Sequence, residues 1–248
     1  MDVPVGLWLS VFGAMVVVGG LVAVRVARAG GVGIAVALGV WLAVDIGLAT
    51  AGVFAADHDT LVPVIAFGIV VPIAAGGWLL LHHRGVAEVA DRLPLPWLIG
   101  VQLFRVVGVL FLVAWALDLM PAEFALPAGL GDVAVGLAAP FVARRVARDP
   151  VGGRRAAIAW NVAGLLDFVV AVTVGFLTSP SRFQQLAESA PNFPVTRMPF
   201  VLVPVFGVPL AALLHVVALR RLTSSAKHAH GGGGEGLQGG PIAARSRS

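Results

Sequence analysis

Seven stretches of about 20 residues, each apolar and nearly free of charge, constrain this chain more than any other feature. A backbone surrounded by hydrocarbon must satisfy its own N–H and C=O groups, and for runs of this length the α-helix does so; a barrel strand needs only about 9–11 residues of alternating polarity. The runs cover about 4–24, 33–54, 61–81, 97–117, 124–143, 156–177 and 200–219. The sequence therefore predicts an all-α integral membrane protein of seven transmembrane helices, one domain over residues 1–222, followed by a disordered tail over 223–248 rich in Gly and Ser.

Composition supports this reading and removes several kinds of chemistry. Hydrophobic residues make up 58% of the chain and charged residues 12%, against about 25% charged in soluble domains. With no cysteine, disulfides, thiol nucleophiles and thiolate-held metals are excluded. Lys227 in the tail is the one lysine, so no lysine inside the membrane can carry a retinal Schiff base. The basic excess, 17 residues against 13 acidic, sits at the ends of apolar runs and forms no DNA-binding motif, which argues against a nucleic-acid partner. The bias toward Arg, Ala, Val and Gly suits a GC-rich coding sequence and points to a bacterial plasma membrane.

The basic residues also give orientation, because Lys and Arg collect in cytoplasmic loops near helix ends. Arg25 and Arg28, Arg84 and Arg92, the group from Arg144 to Arg155, and Arg220-Arg221 all fall on one side of a seven-span reading. The other side holds Arg182 and Arg197. This predicts an N-out, C-in topology. The first run is too long for a signal-peptide core and carries Asp2 rather than a basic residue ahead of it, so Ala27-Arg28-Ala29 reads as the end of a retained helix and not as a cleavage site. Ser181, three residues before Gln184, predicts a short capped surface helix in the long outer loop.

With this polarity the first three and last three spans run the same way, and similarities appear in the same order. Arg25-Val26-Ala27-Arg28 matches Arg145-Val146-Ala147-Arg148; Asp45, Thr50 and Gly52 match Asp167, Thr173 and Gly175; Leu61-Val62-Pro63-Val64 matches Leu202-Val203-Pro204-Val205. These predict a 3+1+3 parallel internal repeat, residues 4–84 and 124–221 joined by the fourth span at about 97–117. Small transporters such as the SWEET sugar carriers have this layout, with binding sites at the repeat interface. The likeness is architectural, and the Pro-Gln dipeptide of the wider PQ-loop group is absent.

Asp45, Arg105, Asp132 and Asp167 lie inside the spans, each roughly 12–20 Å from the nearer helix end at about 1.5 Å per residue. Placed against lipid, the four would be disfavoured by roughly 10–14 kcal/mol in sum, so they are expected to converge on the bundle interior. Gln102 shares a face with Arg105, and Asn161 lies nearer the inner end of the sixth span, extending a candidate solute or ion site. Glycines around Asp132 (Gly129, Gly131, Gly136) would let backbones approach closely. Pro63, Pro72, Pro204 and Pro209 predict kinks in the third and seventh spans.

His215 reads as a core histidine; its pairing with His82 or His83 around haem has no supporting spacing, and His228 and His230 in the tail read as polar tail rather than a metal site. Neither metal nor cofactor is expected. The function these residues predict is carriage of a small solute or ion, coupled to protons through an excess of acid over base in the membrane. The alternatives are a membrane enzyme acting on a lipid or isoprenoid, for which an aspartate-rich diphosphate motif, a His-x-x-x-His pair within a span and a serine triad pattern are all missing, and a ligand sensor or structural partner of another membrane protein. The expected partners are the lipid bilayer, a small polar or ionic solute and, as an oligomer, further copies of the chain.

Overall fold

The computed structural model of the chain describes residues 3–61 and 63–231. Among them are α1 (Val5–Arg28), α2 (Val32–Thr50), α3 (Ile65–His82), α4 (Arg84–Arg92), α5 (Leu95–Ala116), α6 (Ala122–Arg148), α7 (Arg154–Thr178) and α8 (Val208–Gly231), which is entered through a π-helical turn (Val203–Gly207). Seven of these are long and apolar enough to cross a membrane; α4 is the short exception. Their outward faces carry stripes such as Val32, Val36, Val40, Val44 and Leu48 on α2, which is what lipid contact requires and water would penalise.

Helix α8 is the pillar of the bundle. Val205 and Phe206 of its entering turn and Leu210, Ala211, Leu214, His215, Ala218 and Leu222 of the helix are all buried, and α3 and α7 pack directly on it. Around it α5, α6 and α7 form a tight sequential group, while α1 packs on α2, α5 and the π-helical turn. Helix α2 stands at the edge, burying only Asp45 and Ala49.

Long-range contacts sort the loops into two ends. At one, Arg92 donates to the Ala29 carbonyl (3.3 Å), Arg220 pairs with Asp91 (3.1 Å) and Arg154 donates to the Leu222 carbonyl (2.7 Å). At the other, the Arg182 backbone N–H donates to the Thr60 carbonyl (3.2 Å) and His58 meets Phe193 edge to face. The arginines that sequence spacing assigns to one side thus share the first end, called the basic end below.

Several local expectations are corrected. No helix forms at Ser181: its hydroxyl accepts from Phe183 N–H two residues on, a turn rather than a cap, and the Gln185 and Leu186 N–H groups both donate to the Leu177 carbonyl, folding the segment back onto α7. Helix α3 starts at Ile65, so Pro63 precedes it and kinks nothing; Pro72 is the proline within it. Helix α2 stops at Thr50, where Gly52 at φ +75° turns the chain away. Helix α8 runs on to Gly231; residues 232–248 of the expected tail, and the side chains of His228 and His230, lie outside the described residues.

Candidate functional site

The middle of α5 is not α-helical. Between Gly100 and Gly108 it tightens into a 3₁₀ segment (Val101–Gly108), whose threefold period stacks residues i, i+3 and i+6 on one line. Gln102, Arg105 and Gly108 occupy that line and are its buried residues. Gln102 donates to the Ala211 carbonyl of α8 at 2.9 Å, and Arg105 enters the centre of the bundle with 1% of its surface exposed.

Nearly all the donors of Arg105 find protein acceptors. Nε donates to Asp132 Oδ1 of α6 at 2.8 Å, Nη2 to Asp167 Oδ2 of α7, and Nη1 to the Gly164 carbonyl at 3.2 Å and to His215 Nε2 of α8 at 3.2 Å. The guanidinium carbon lies 3.9 Å from the centroid of the Phe168 ring, covering the cation with an aromatic face. One side chain from α5 thereby ties three other membrane helices.

The polar chain continues to Asn161. Its Nδ2 donates to the Ala157 carbonyl at 2.8 Å, which turns Oδ1 toward His215 Nδ1 at 2.8 Å. Arginine can only donate, so Nε2 of His215 must accept and the ring proton sits on Nδ1, donated to Asn161. With His215 in that tautomer the formal charge of the group is −1 when both aspartates are ionised, and 0 after uptake of one proton or one monovalent cation. An uncompensated charge in low dielectric is strongly disfavoured, so a bound proton or monovalent cation would stabilise the group.

Glycines make this density of contacts feasible. A Cβ on Gly108 would stand 2.5 Å from Asp132 Cβ, one on Gly136 would meet the Val106 nitrogen at 2.8 Å, and one on Gly164 would sit 2.6 Å from the His215 ring. At Gly131 a Cβ would overlap the Asp167 carboxylate. The small-residue stretch around Asp132 serves the close approach that its composition implies.

A cavity of about 70 Å³ reaches the site from the end opposite the basic one. Ser179 and Val195 stand at its outer part, Phe111, Phe124 and Pro204 along its sides, and Asp132 is its deepest lining residue by position along the helices. That volume suits one or two waters or a small solute.

Of the residues singled out in the sequence, Arg105, Asp132 and Asp167 come together, Asn161 joins through His215, and Gln102 braces the same helix face. Asp45 does not join: it is buried at 5% exposure on the inward face of α2 and makes no ion pair among the described residues, and the polar group beside its carboxylate is the Trp41 indole N–H one turn earlier. Phe168 and the Gly164 carbonyl were not foreseen; the Phe next to Asp167 is the one signal that could have suggested a covered cation. Among the described residues no group of three or more His, Cys, Asp or Glu side chains is arranged to hold a metal ion.

No curated protein and no solved structure matches the chain. Residues 59–223, which contain α3 to α7, most of α8 and every member of the Arg105 group, match the family described as Domain of unknown function (DUF8737). A span of that extent, most of the chain and all of its central polar site, makes this protein a member of the DUF8737 family.

Proposed function

We propose that the chain is a proton-linked carrier for a small polar or ionic solute, lying N-out and C-in in a bacterial plasma membrane. The observation that carries this reading is the shared guanidinium: two carboxylates on adjacent helices hold one arginine, and one of them, Asp132, lines a cavity leading away from the basic end. Proton uptake at the pair changes the group from −1 to 0 and weakens the tie between α5 and α6 or α7. That is the differential interaction a conformational cycle requires. The π-helical turn at Val203–Gly207 and Pro72 supply the irregular backbone at which α8 and α3 could bend. In this reading Arg105 positions the two acids rather than holding solute, since four of its N–H contacts are already made within the protein. The proposed 3+1+3 repeat would place Asp45 as the counterpart of Asp167, although α3 packs on α8 and Asp45 stands apart.

A sensor or structural partner is the second reading, favoured by how fully the Arg105 donors are used. The lipid-directed enzyme has less support, because no acid or histidine lines the large apolar groove described below. Proteoliposomes with a trapped pH indicator distinguish the first two. Solute-dependent proton movement is expected for the unaltered protein and its loss for Asp132→Asn, compared per amount of folded protein reconstituted; no movement with any solute of a broad panel, or equal flux by Asp132→Asn, removes the carrier reading. The double variant Arg105→Ala/Asp132→Asn adds a second test. If Arg105 only locks helices, function returns with folding; if the site itself works, folding returns alone.

A further inference from the structure

Helix α2 packs on α1 and α3 packs on α8, which leaves a groove of about 550 Å³ between α2 and α3 in the half toward the basic end. Leu213 and Leu214 of α8 form its floor, Leu38 and Trp41 one wall, and Pro72 and Leu79 the other. Helix α4 closes the basic end: Val86, Val89, Ala90 and Leu93 face the groove, while Arg84, Glu88, Asp91 and Arg92 take the opposite side. The size falls within the roughly 300–1,000 Å³ range of small-molecule sites, and its lining is apolar apart from the Trp41 indole N–H. The Arg105 group lies on the other side of α8, so the groove is separate from it.

We propose that this groove binds an acyl chain of an anionic phospholipid taken from the leaflet at the basic end. The charge around α4 argues for that occupant. Arg28 at the end of α1, His82 and His83 at the end of α3, and Arg84 and Arg92 on α4 gather there. The acids at the same place are partly answered already, Asp91 by Arg220 at 3.1 Å and Glu88 by Arg92 at 3.9 Å, whereas Arg28 and Arg84 make no ion pair among the described residues. Trp78, stacked on His82 at 5.2 Å between ring centroids, stands at the level where aromatic residues meet headgroups. A chain leaving the bilayer for the groove exchanges one apolar environment for another, so chain burial gives little preference between lipids. Selectivity has to come from the headgroup on the arginines.

The test uses Trp41 as reporter, with Trp8, Trp78, Trp97, Trp115 and Trp160 changed to Phe. In phosphatidylcholine vesicles, brominated-chain phosphatidylglycerol should quench Trp41 at a mole fraction roughly tenfold lower than brominated-chain phosphatidylcholine does. Arg28→Gln/Arg84→Gln/Arg92→Gln should bring the two curves together. Gly33→Phe should remove the preference by filling the groove, since nothing lies within 4 Å of a Cβ at Gly33 and the substitution is accommodated. Equal quenching by the two lipids overturns the proposal, as does a preference that survives Gly33→Phe, which would mean charge attraction without a seated chain. Should the reporter variant fail to fold, native mass spectrometry of the unaltered protein decides: retention of phosphatidylglycerol over phosphatidylcholine supports the site, and release of both alike refutes it.

Discussion

Arg105→Ala removes the one group that joins α5 to α6, α7 and α8 at the same point. Its loss strands the carboxylates of Asp132 and Asp167, leaves His215 Nε2 without a donor, and takes from the Gly164 carbonyl the bond it accepts beyond its own helix. Interhelical hydrogen bonds in membranes average about 0.6 kcal/mol, so four of them set a floor of about 2.4 kcal/mol. Breaking a buried ion pair by deleting one partner costs about 3–5 kcal/mol, and Arg105, at 1% exposure, belongs to that buried class. We therefore expect Arg105→Ala to lose about 3–5 kcal/mol in reversible unfolding from bicelles. Adding Asp132→Asn should return roughly half, because one of two stranded charges disappears. Arg105→Lys should lose about 1–2 kcal/mol, since one ammonium cannot occupy the Nε and Nη positions together. An Arg105→Ala protein within about 1 kcal/mol of the unaltered one would refute the view that this group holds the bundle.

Gly131→Ala and Gly164→Ala should destabilise by about 1–3 kcal/mol through overpacking, while Gly39→Ala, with nothing within 4 Å of the added Cβ, should stay within about 1 kcal/mol of the parent in the same unfolding assay. Asp45→Asn should express at least as well as the parent, because the carboxylate it replaces is buried without an ion pair, whereas Asp132→Asn should reduce the folded yield; the reverse order in detergent-extracted yield would contradict the assignment. A reporter fused after Arg221 should be cytoplasmic and one inserted between Ser181 and Pro194 external, and a swapped signal at either position would invert the proposed topology.

Seven spans, their order and the arginine-rich ends were legible in the chain alone. Hydropathy acts locally: a run of about 20 apolar residues has one helical solution in hydrocarbon whatever its neighbours are. Convergence of Arg105, Asp132 and Asp167 was legible for a similar reason, since charges at mid-membrane depth have nowhere else to go. Tertiary structure alone decided the rest. Asp45 was expected at the depth of the others, yet α2 stops at Thr50, nearer to it than the expected end at residue 54, and packs at the edge, which leaves it outside the group, because the partner of a side chain depends on which helices adjoin and how each is rotated. Asn161 and His215 looked like separate polar residues until α7 and α8 met face to face and a single tautomer linked them to Arg105. The 3₁₀ segment that aligns Gln102 with Arg105 and Gly108, and the π-helical turn that opens α8, carry no hydropathy signal. They arise where glycine-lined contacts between helices outweigh the small preference of a lone helix for α-geometry.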